Sequence, residues 1–463
     1  MKKFLLVIGL VIAAICIYIL SIIFAPVPSL DSSLSKLKAQ GIPTTLEELI
    51  PFELPDSENG ALIYKEAFRI LDTFEQKYSV GEKHSRKYKD DWKYLIGREE
   101  YLNAPADKKK EIGQIVMNDP DLNKIYSLVN KASRMKCQFH KRAEYKKGFV
   151  METGEFGQAR NCARLLSVKA CIESELKLHD EAVNSSSLIL RISSSFENEP
   201  SIIAQLVREA ICLIGLDTLR SNDAVFDAKD AINENCLDVL SKTNNRSAVE
   251  NGFKGEPILA YYTCADLLNN SKANQFDSLK AIGILAEKPS LYSIHFYLLG
   301  CFNPRKLINE QMIYYFDEMS KAYVVLKMPY HEGSIILKDL IDKMASGRGK
   351  EMILVNLIYP GVDRYYTRSE EIGAYIDIAS LGVANRLYKS KHGRFADSLG
   401  QLSPGILPSV PKDPFSGNDY VYKKEGDGFI IYSLGKNMKD DNGKFEKMGT
   451  KGDFDISWRD SGK

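Results

Sequence analysis

The residues best suited to chemistry gather near the C-terminus. The stretch YSLGKNMKDDNGK, Tyr432 to Lys444, puts Asn437, Asp440, Asp441 and Asn442 into one short loop, and Asp453 and Asp455 follow it. Carboxylates, amides and backbone carbonyls at this density are the oxygen ligands of calcium, which takes roughly six to eight of them. An EF-hand register fails. With Gly443 at the glycine position, Met438 comes first and Gly449 last, where carboxylates are required. The same residues equally suit a solvated turn closed by Asx-type hydrogen bonds. Both readings stay open, and calcium is the only cofactor the sequence suggests.

Little else resembles a reaction centre. The adjacent carboxylates Glu47/Glu48, Glu99/Glu100 and Glu370/Glu371 point to different helix faces, so none forms a local acid/base pair. They read as helix-start or solvated charges. The six histidines, His84, His140, His179, His295, His331 and His392, make no HExxH or other close metal pair. Each reads as structural or surface. No G-x-S-x-G occurs, and KMASGRGKE lacks the P-loop frame, so Gly347 and Gly349 are expected to punctuate helices. Cys16 lies in the N-terminal apolar run; the other cysteines form no CxxC or Cys/His metal spacing. Several fall in apolar helical patterns such as VREAICLIGL, where Cys behaves as a small core residue, so most are expected to be reduced.

These side chains must be held by a chain of 463 residues, enough for roughly two to four domains. Hydrophobic residues make up 44% and charged residues 27%, an ordinary globular balance. The net charge of +1 supplies no basic field for nucleic acid. The N-terminus is different. Lys2 and Lys3 precede an uncharged apolar run from Phe4 to Ala25, long enough at 1.5 Å per residue to cross a bilayer of roughly 30 Å. The following IIFAPVP is a poor cleavage site, so an uncleaved signal anchor is expected over a cleaved signal peptide. Residues 4–25 would then be the membrane contact. The lysines would stay cytoplasmic and the bulk would be extracytoplasmic, in the periplasm.

Pro26 and Pro28 end this helix and open a linker over 26–60. Within it PTTLEELIP has the capping-box pattern of a short helix. Residues 61–365 are expected to form a helical domain. Leu62, Ala67, Ile70, Leu71 and Phe74 repeat at helical spacing, and the charged stretch from Tyr78 to Lys110 reads as a solvated face with a loop. The segment from Gly157 to Phe196 reads as a helical hairpin of tetratricopeptide type, with Ala170 and Ala182 as close-packing small residues. The next helix is expected to bury Ile203, Leu206, Val207, Ala210, Ile211 and Ile214. No faithful 34-residue period is present, so an irregular bundle or solenoid is expected. The aromatic run 289–304 is too short to span a bilayer and reads as a buried helix. After residue 366 comes an amphipathic helix with Ser369 as its N-cap and His392-Gly393 as its stop. A Pro/Ser/Gly-rich segment and a hairpin, DYVYKK and GFIIYSL around EGDG, follow.

Residues 366–463 resemble the globular domain of the major pseudopilins of type II secretion. The helix ending NRLYKSKHGRF, then LPSVPKDPFSGNDYVY, then IIYSLGKN and a terminal DFDISW carry the resemblance. It implies a small α/β domain whose Asp-rich loop binds calcium. By position the ligands would be Asn437, where that family usually has Asp, with Asp440 or Asp441 and Asp453 or Asp455. The N-terminal helix departs from the family: it has no acidic residue, and residues 26–365 separate it from the domain. The whole chain is similar to large uncharacterised bacterial envelope proteins with such a C-terminus. The fold expected is mainly α, with a small C-terminal α/β domain. The function expected is a membrane-anchored binding or scaffold protein with a protein partner in the envelope, linked to a secretion or pilus-like assembly. The competing class is an envelope hydrolase whose site is dispersed over the helical domain.

Overall fold

A computed structural model of the chain describes residues 2–80, 89–221, 224–243, 245–269, 294–344, 353–444 and 455–460. The protein is mainly helical, with one small sheet near the C-terminus. Helix α1 (Lys2–Ile23) leaves its apolar side chains exposed: only 6% of the window Leu6–Ile23 is buried, although the helix is long and apolar enough to cross a membrane.

The segment after α1 is no slack linker. It carries α2 (Asp31–Ala39) and α3 (Leu46–Leu49), and Leu37, Ile42 and Leu46 are buried. Half of the expected capping box forms at α3: Thr45 Oγ1 accepts from the Glu48 N–H at 3.2 Å, but Glu48 Oε2 reaches past the cap to the Thr44 N–H at 2.9 Å.

Helix α4 (Gly60–Tyr78) buries Ala67, Leu71 and Phe74 as expected, but Leu62 faces solvent. Across a minimal ladder of β1 (Ser79–Val80) and β2 (Lys89–Asp90) the chain enters α5 (Trp92–Ile96), α6 (Arg98–Leu102), α7 (Ala106–Asn118), α8 (Pro120–Ala132) and α9 (Arg142–Tyr145). Trp92, Leu95 and Tyr101 are buried here, so the charged stretch hides part of the core.

The predicted hairpin is α10 (Gly154–Glu175) and α11 (His179–Ser194), with Lys177 in the left-handed region at its turn and Ala170 and Ala182 fully buried. Helix α12 (Ile202–Ser221) packs on it, in a different rotation from the one expected. Ile203 and Leu206 are exposed, while Gln205, Arg208 and Glu209 are buried. Helices α13 (Ala224–Asp227), α14 (Asp230–Lys242) and α15 (Asn245–Asn269) follow.

Helix α16 (Ile294–Phe302) is not the buried helix expected. It packs on α1 and exposes His295, Cys301 and Phe302. Helices α17 (Pro304–Val325), α18 (Tyr330–Met344) and α19 (Ile353–His392) lead to the sheet. Gly347 and Gly349 lie outside the described residues.

Ser369 is not an N-cap. It sits inside the forty-residue α19, buried, with its hydroxyl donating to the Tyr366 carbonyl at 2.7 Å. The expected boundary at 365/366 thus falls within one helix. The core around α19 also includes α12, α15, α17 and the sheet without a break. The stop at His392 is as expected, closed by Gly393 with φ +74°.

Strands β3 (Val421–Glu425), β4 (Gly428–Ser433) and β5 (Ile456–Asp460) form an antiparallel sheet in the order β3-β4-β5. Its buried face meets α19, and the Trp458 indole lies on Gly382, where an added Cβ would come within 2.8 Å of the ring.

The chain beyond α1 is laced onto α17. Asn309 Nδ2 donates to the Pro28 carbonyl at 2.9 Å, and Asp317 takes the Ser33 hydroxyl at 3.1 Å and the Lys36 ammonium at 3.0 Å.

Candidate functional site

The C-terminal loop is built from a turn in the preceding segment. Asp413, buried, accepts from the Phe415 N–H at 3.1 Å and the Ser416 hydroxyl at 2.8 Å, fixing the DPFSG turn. Its Oδ1 also takes the Ser433 hydroxyl at 2.7 Å, and Ser433 Oγ in turn accepts from the Gly435 N–H at 3.0 Å. The end of β4 is therefore pinned where the loop begins. Gly435, Met438, Asn442 and Gly443 then take positive φ, which coils the loop tightly. Gly443 has no room for a side chain, since a Cβ there would stand 2.2 Å from Ile430.

Within the loop, Asn437 Oδ1 accepts from the Lys439 N–H at 2.8 Å, and Asp440 Oδ1 accepts from the Asn442 N–H at 2.8 Å. These are the Asx-type bonds of the turn reading. Tyr432 also donates to Asp440 Oδ1, at 2.9 Å, and Asn437 Nδ2 donates to Asp441 Oδ2 at 3.1 Å. The Asn437 oxygen thus accepts from backbone while its amide nitrogen holds Asp441.

Asp455 closes the loop from the start of β5. Its Oδ2 accepts from the Gly443 N–H at 2.7 Å, while Oδ1 is buried with no hydrogen-bond partner among the described residues. Burial, with the charges of Asp441 and Asp440 beside it, pushes this carboxyl up to about 6. The structure thus brings Asp440, Asp441 and Asp455 together, whereas Asp453 lies outside the described residues. Among the described residues, no three His, Cys, Asp or Glu side chains stand ready to hold a metal ion. What suits a cation is the orphaned Asp455 oxygen among like charges.

Lys436, beside this loop, also borders a cleft of about 780 Å³ between α18 and α19. Leu206, Ile335 and Ile341 supply apolar wall; Lys338, Asp363, Arg364, Arg368 and Glu371 supply charge. Arg368 donates to Glu371 at 3.0 Å, so part of this charge is already paired. Among the described residues, no His or Cys lines the cleft.

Sequence reasoning missed a buried polar layer behind the cleft. Arg208 Nε donates to Gln205 Oε1 at 2.7 Å and its terminal nitrogen donates to Asn245 Oδ1, while Asn245 Nδ2 donates to the Ser369 carbonyl. Glu256 Oε1 takes the Ile202 N–H at 2.8 Å. Both carboxylate oxygens of Glu209 lack partners. Burial pushes Glu209, Glu256 and Glu370 up to about 7. Asp377, which accepts from the Tyr420 hydroxyl at 2.8 Å, is also raised to about 7 by burial. A helical period that tolerates Gln, Arg and Glu gives no signal of their burial.

His140 is structural, as expected of an isolated histidine. Its Nδ1 meets Glu199 Oε2 and its Nε2 meets the Glu152 carbonyl, both at 3.0 Å, while Tyr145 donates to the same Glu199 oxygen at 2.7 Å. Burial pushes the imidazole down, but the hydrogen bond and charge of Glu199 prevail and raise it. All eight cysteines are thiols, and Cys162, Cys171, Cys212, Cys236 and Cys264 are core residues.

Comparison with family models, curated proteins and solved structures returned no match to this chain.

Proposed function

We propose that the chain is a membrane-anchored binding or scaffold protein of the bacterial envelope, held by α1, with its body outside the cytoplasm. The observation that carries this reading is α1 itself: an exposed apolar helix behind Lys2 and Lys3, tied firmly to a folded body. The body binds a protein partner rather than turning over a substrate. The α18–α19 cleft supports this, because it mixes apolar wall with charge that is partly paired, as between Arg368 and Glu371. The α10–α11 hairpin is read as a tetratricopeptide-like element within an irregular bundle, on the strength of its small residues at the crossing.

The end of α19 with β3, β4 and β5 is read as a pseudopilin-like module, which ties the protein to a secretion or pilus-like assembly. The order of helix, DPFSG turn, hairpin, Asp-rich loop and closing strand supports that reading. In it Asp455, Asp441 and Asp440 would hold calcium, which would neutralise the like charges around the buried Asp455 oxygen.

Topology is tested by labelling a C-terminal tag in intact cells with an impermeant reagent. Labelling is expected, and a protected cytoplasmic tag overturns the anchor reading. For calcium, the full chain after chelator treatment should melt higher in millimolar calcium, and Asp455→Asn should abolish the rise. No rise in the unaltered protein sinks the metal.

A further inference from the structure

We propose that α16 is a second membrane contact: a short helix seated in the outer leaflet beside α1, running in the same direction and entering only part of its depth. This rests on reading α1 as the anchor. Helix α16, IHFYLLGCF, has no Asp, Glu, Lys or Arg. At nine residues it is about 13 Å long, far too short to span a bilayer of roughly 30 Å.

Its contacts fix its depth. The Tyr18 hydroxyl meets His295 Nδ1 at 2.7 Å, and at the other end Asn303 Nδ2 donates to the carbonyls of Ile22 and Ala25, each at 3.1 Å. Tyr18 lies five residues before the end of α1, so His295 is set about 7–8 Å inside the point where α1 ends. Asn303 is level with the exit. Its side chain thus bridges two carbonyls at the exit, of which that of Ile22 also takes the Ala25 N–H at 3.3 Å, and its Oδ1 caps α17 by accepting from the Lys306 N–H at 3.2 Å.

The side chains match that placement. Leu299 is fully buried toward the body, while Phe302 is 44% exposed beside the exit, where Phe24 is 78% exposed. Exposed aromatics at one level on two adjoining apolar helices suit the interface between acyl chains and headgroups. Exposed Arg305 follows at the first turn of α17, at the height of lipid phosphate. Water would leave the apolar surface of α16 uncovered; lipid covers it without any further chain. The occupant is therefore the bilayer that holds α1.

The test uses the full chain in phosphatidylethanolamine/phosphatidylglycerol nanodiscs, with Cys16→Ala and Cys137→Ala in every variant so that a spin label can be directed to native Cys301. A second variant carries the label at Leu10→Cys, in the middle of α1, and a third at Lys242→Cys, on the exposed end of α14; both carry Cys301→Ala as well. Relaxation by oxygen against a water-soluble nickel chelate reads depth. Position 301 is expected to give an oxygen-to-nickel ratio well above that at 242 and below that at 10. If 10 reads as deep and 301 matches 242, α16 lies in water and the proposal falls while the anchor stands. If 10 also reads as aqueous, the anchor reading fails and the proposal fails with it. Should the label at 301 disturb folding, Phe302→Cys with Cys301→Ala repeats the measurement one residue further toward the exit, with the same outcomes.

Discussion

The α10–α11 hairpin and the layer formed by α12, α15 and α19 are both helical and both buried, yet their buried polar residues differ in kind. In the hairpin they are mostly single hydroxyls: Ser186 donates to the Ala182 carbonyl of its own helix at 2.9 Å, while Ser193 reaches the Arg208 carbonyl at 3.0 Å, Ser185 reaches Glu173 at 2.7 Å and Ser167 meets Thr218 at 2.6 Å. Each is a separate contact. In the layer, polar groups reach between elements: Arg208 to Asn245, Asn245 to the Ser369 carbonyl, Gln205 to the Glu199 carbonyl, Glu256 to the Ile202 N–H. The hairpin's polar bonds are isolated within apolar packing, whereas those of the layer join into one connected set of donors and acceptors. Buried polar groups that must match leave fewer alternative packings than apolar surface does.

The largest expected effect that could break this contrast comes from Arg208→Ala. It strands Gln205 and Asn245 and removes the cation next to Glu209, so unfolding of the full chain in detergent should shift by about 3–5 kcal/mol. A loss below about 1 kcal/mol would mean that the layer, like the hairpin, is held by packing.

Next is Glu256→Gln, which keeps an oxygen for the Ile202 N–H and removes the charge. The unfolded chain releases this proton near the ordinary glutamate value, while the folded chain holds it to about 7. The folded state therefore binds more protons across that interval, and stability falls as pH rises from about 4.5 to 7. Denaturant titrations should show that fall in the natural protein. Glu256→Gln should make it shallower, since Glu209, Glu370 and Asp377 keep their share, and should gain roughly 3 kcal/mol at pH 8 and nothing at pH 4. Equal curves for both proteins would show that Glu256 is charged and solvated in the fold.

The smallest effect sharpens the rotation of α12. Ile203 is half exposed, so Ile203→Ser should change stability by less than about 0.5 kcal/mol. A cost of several kcal/mol would restore the apolar face that its sequence suggests.

The α12 case shows what a single sequence conceals. The hairpin was legible because Leu165, Leu166, Val168, Ala182 and Leu188 are apolar and their period points to one core. The N-cap at Thr45 and the stop at Gly393 were legible because each is local chemistry. In α12 the apolar residues go nearly all round, and the buried face carries Arg208 and Gln205, whose partners are Asn245 and the carbonyls of Phe196, Glu197 and Glu199, which no apolar period reveals. The same holds for Ser369: it looks like a cap until the residues before it are seen to continue the helix. At the candidate site, the crowding of Asn and Asp was plain, but the commitment of Asn437 to Lys439 and the orphaned Asp455 oxygen depend on backbone geometry set by Asp413, twenty residues before Ser433.

The lacing of residues 28–36 along α17 decides how the body meets anything on the far side of its anchor. A domain on a loose tether sweeps a volume and loses that freedom each time it binds. Here Pro28, Ser33 and Lys36 are fastened to Asn309 and Asp317, so the loss is taken once, when the chain folds. The α18–α19 cleft is then offered at one height and one bearing. A partner spread along the same bilayer would meet it already aimed, while one beyond that height would have to extend itself.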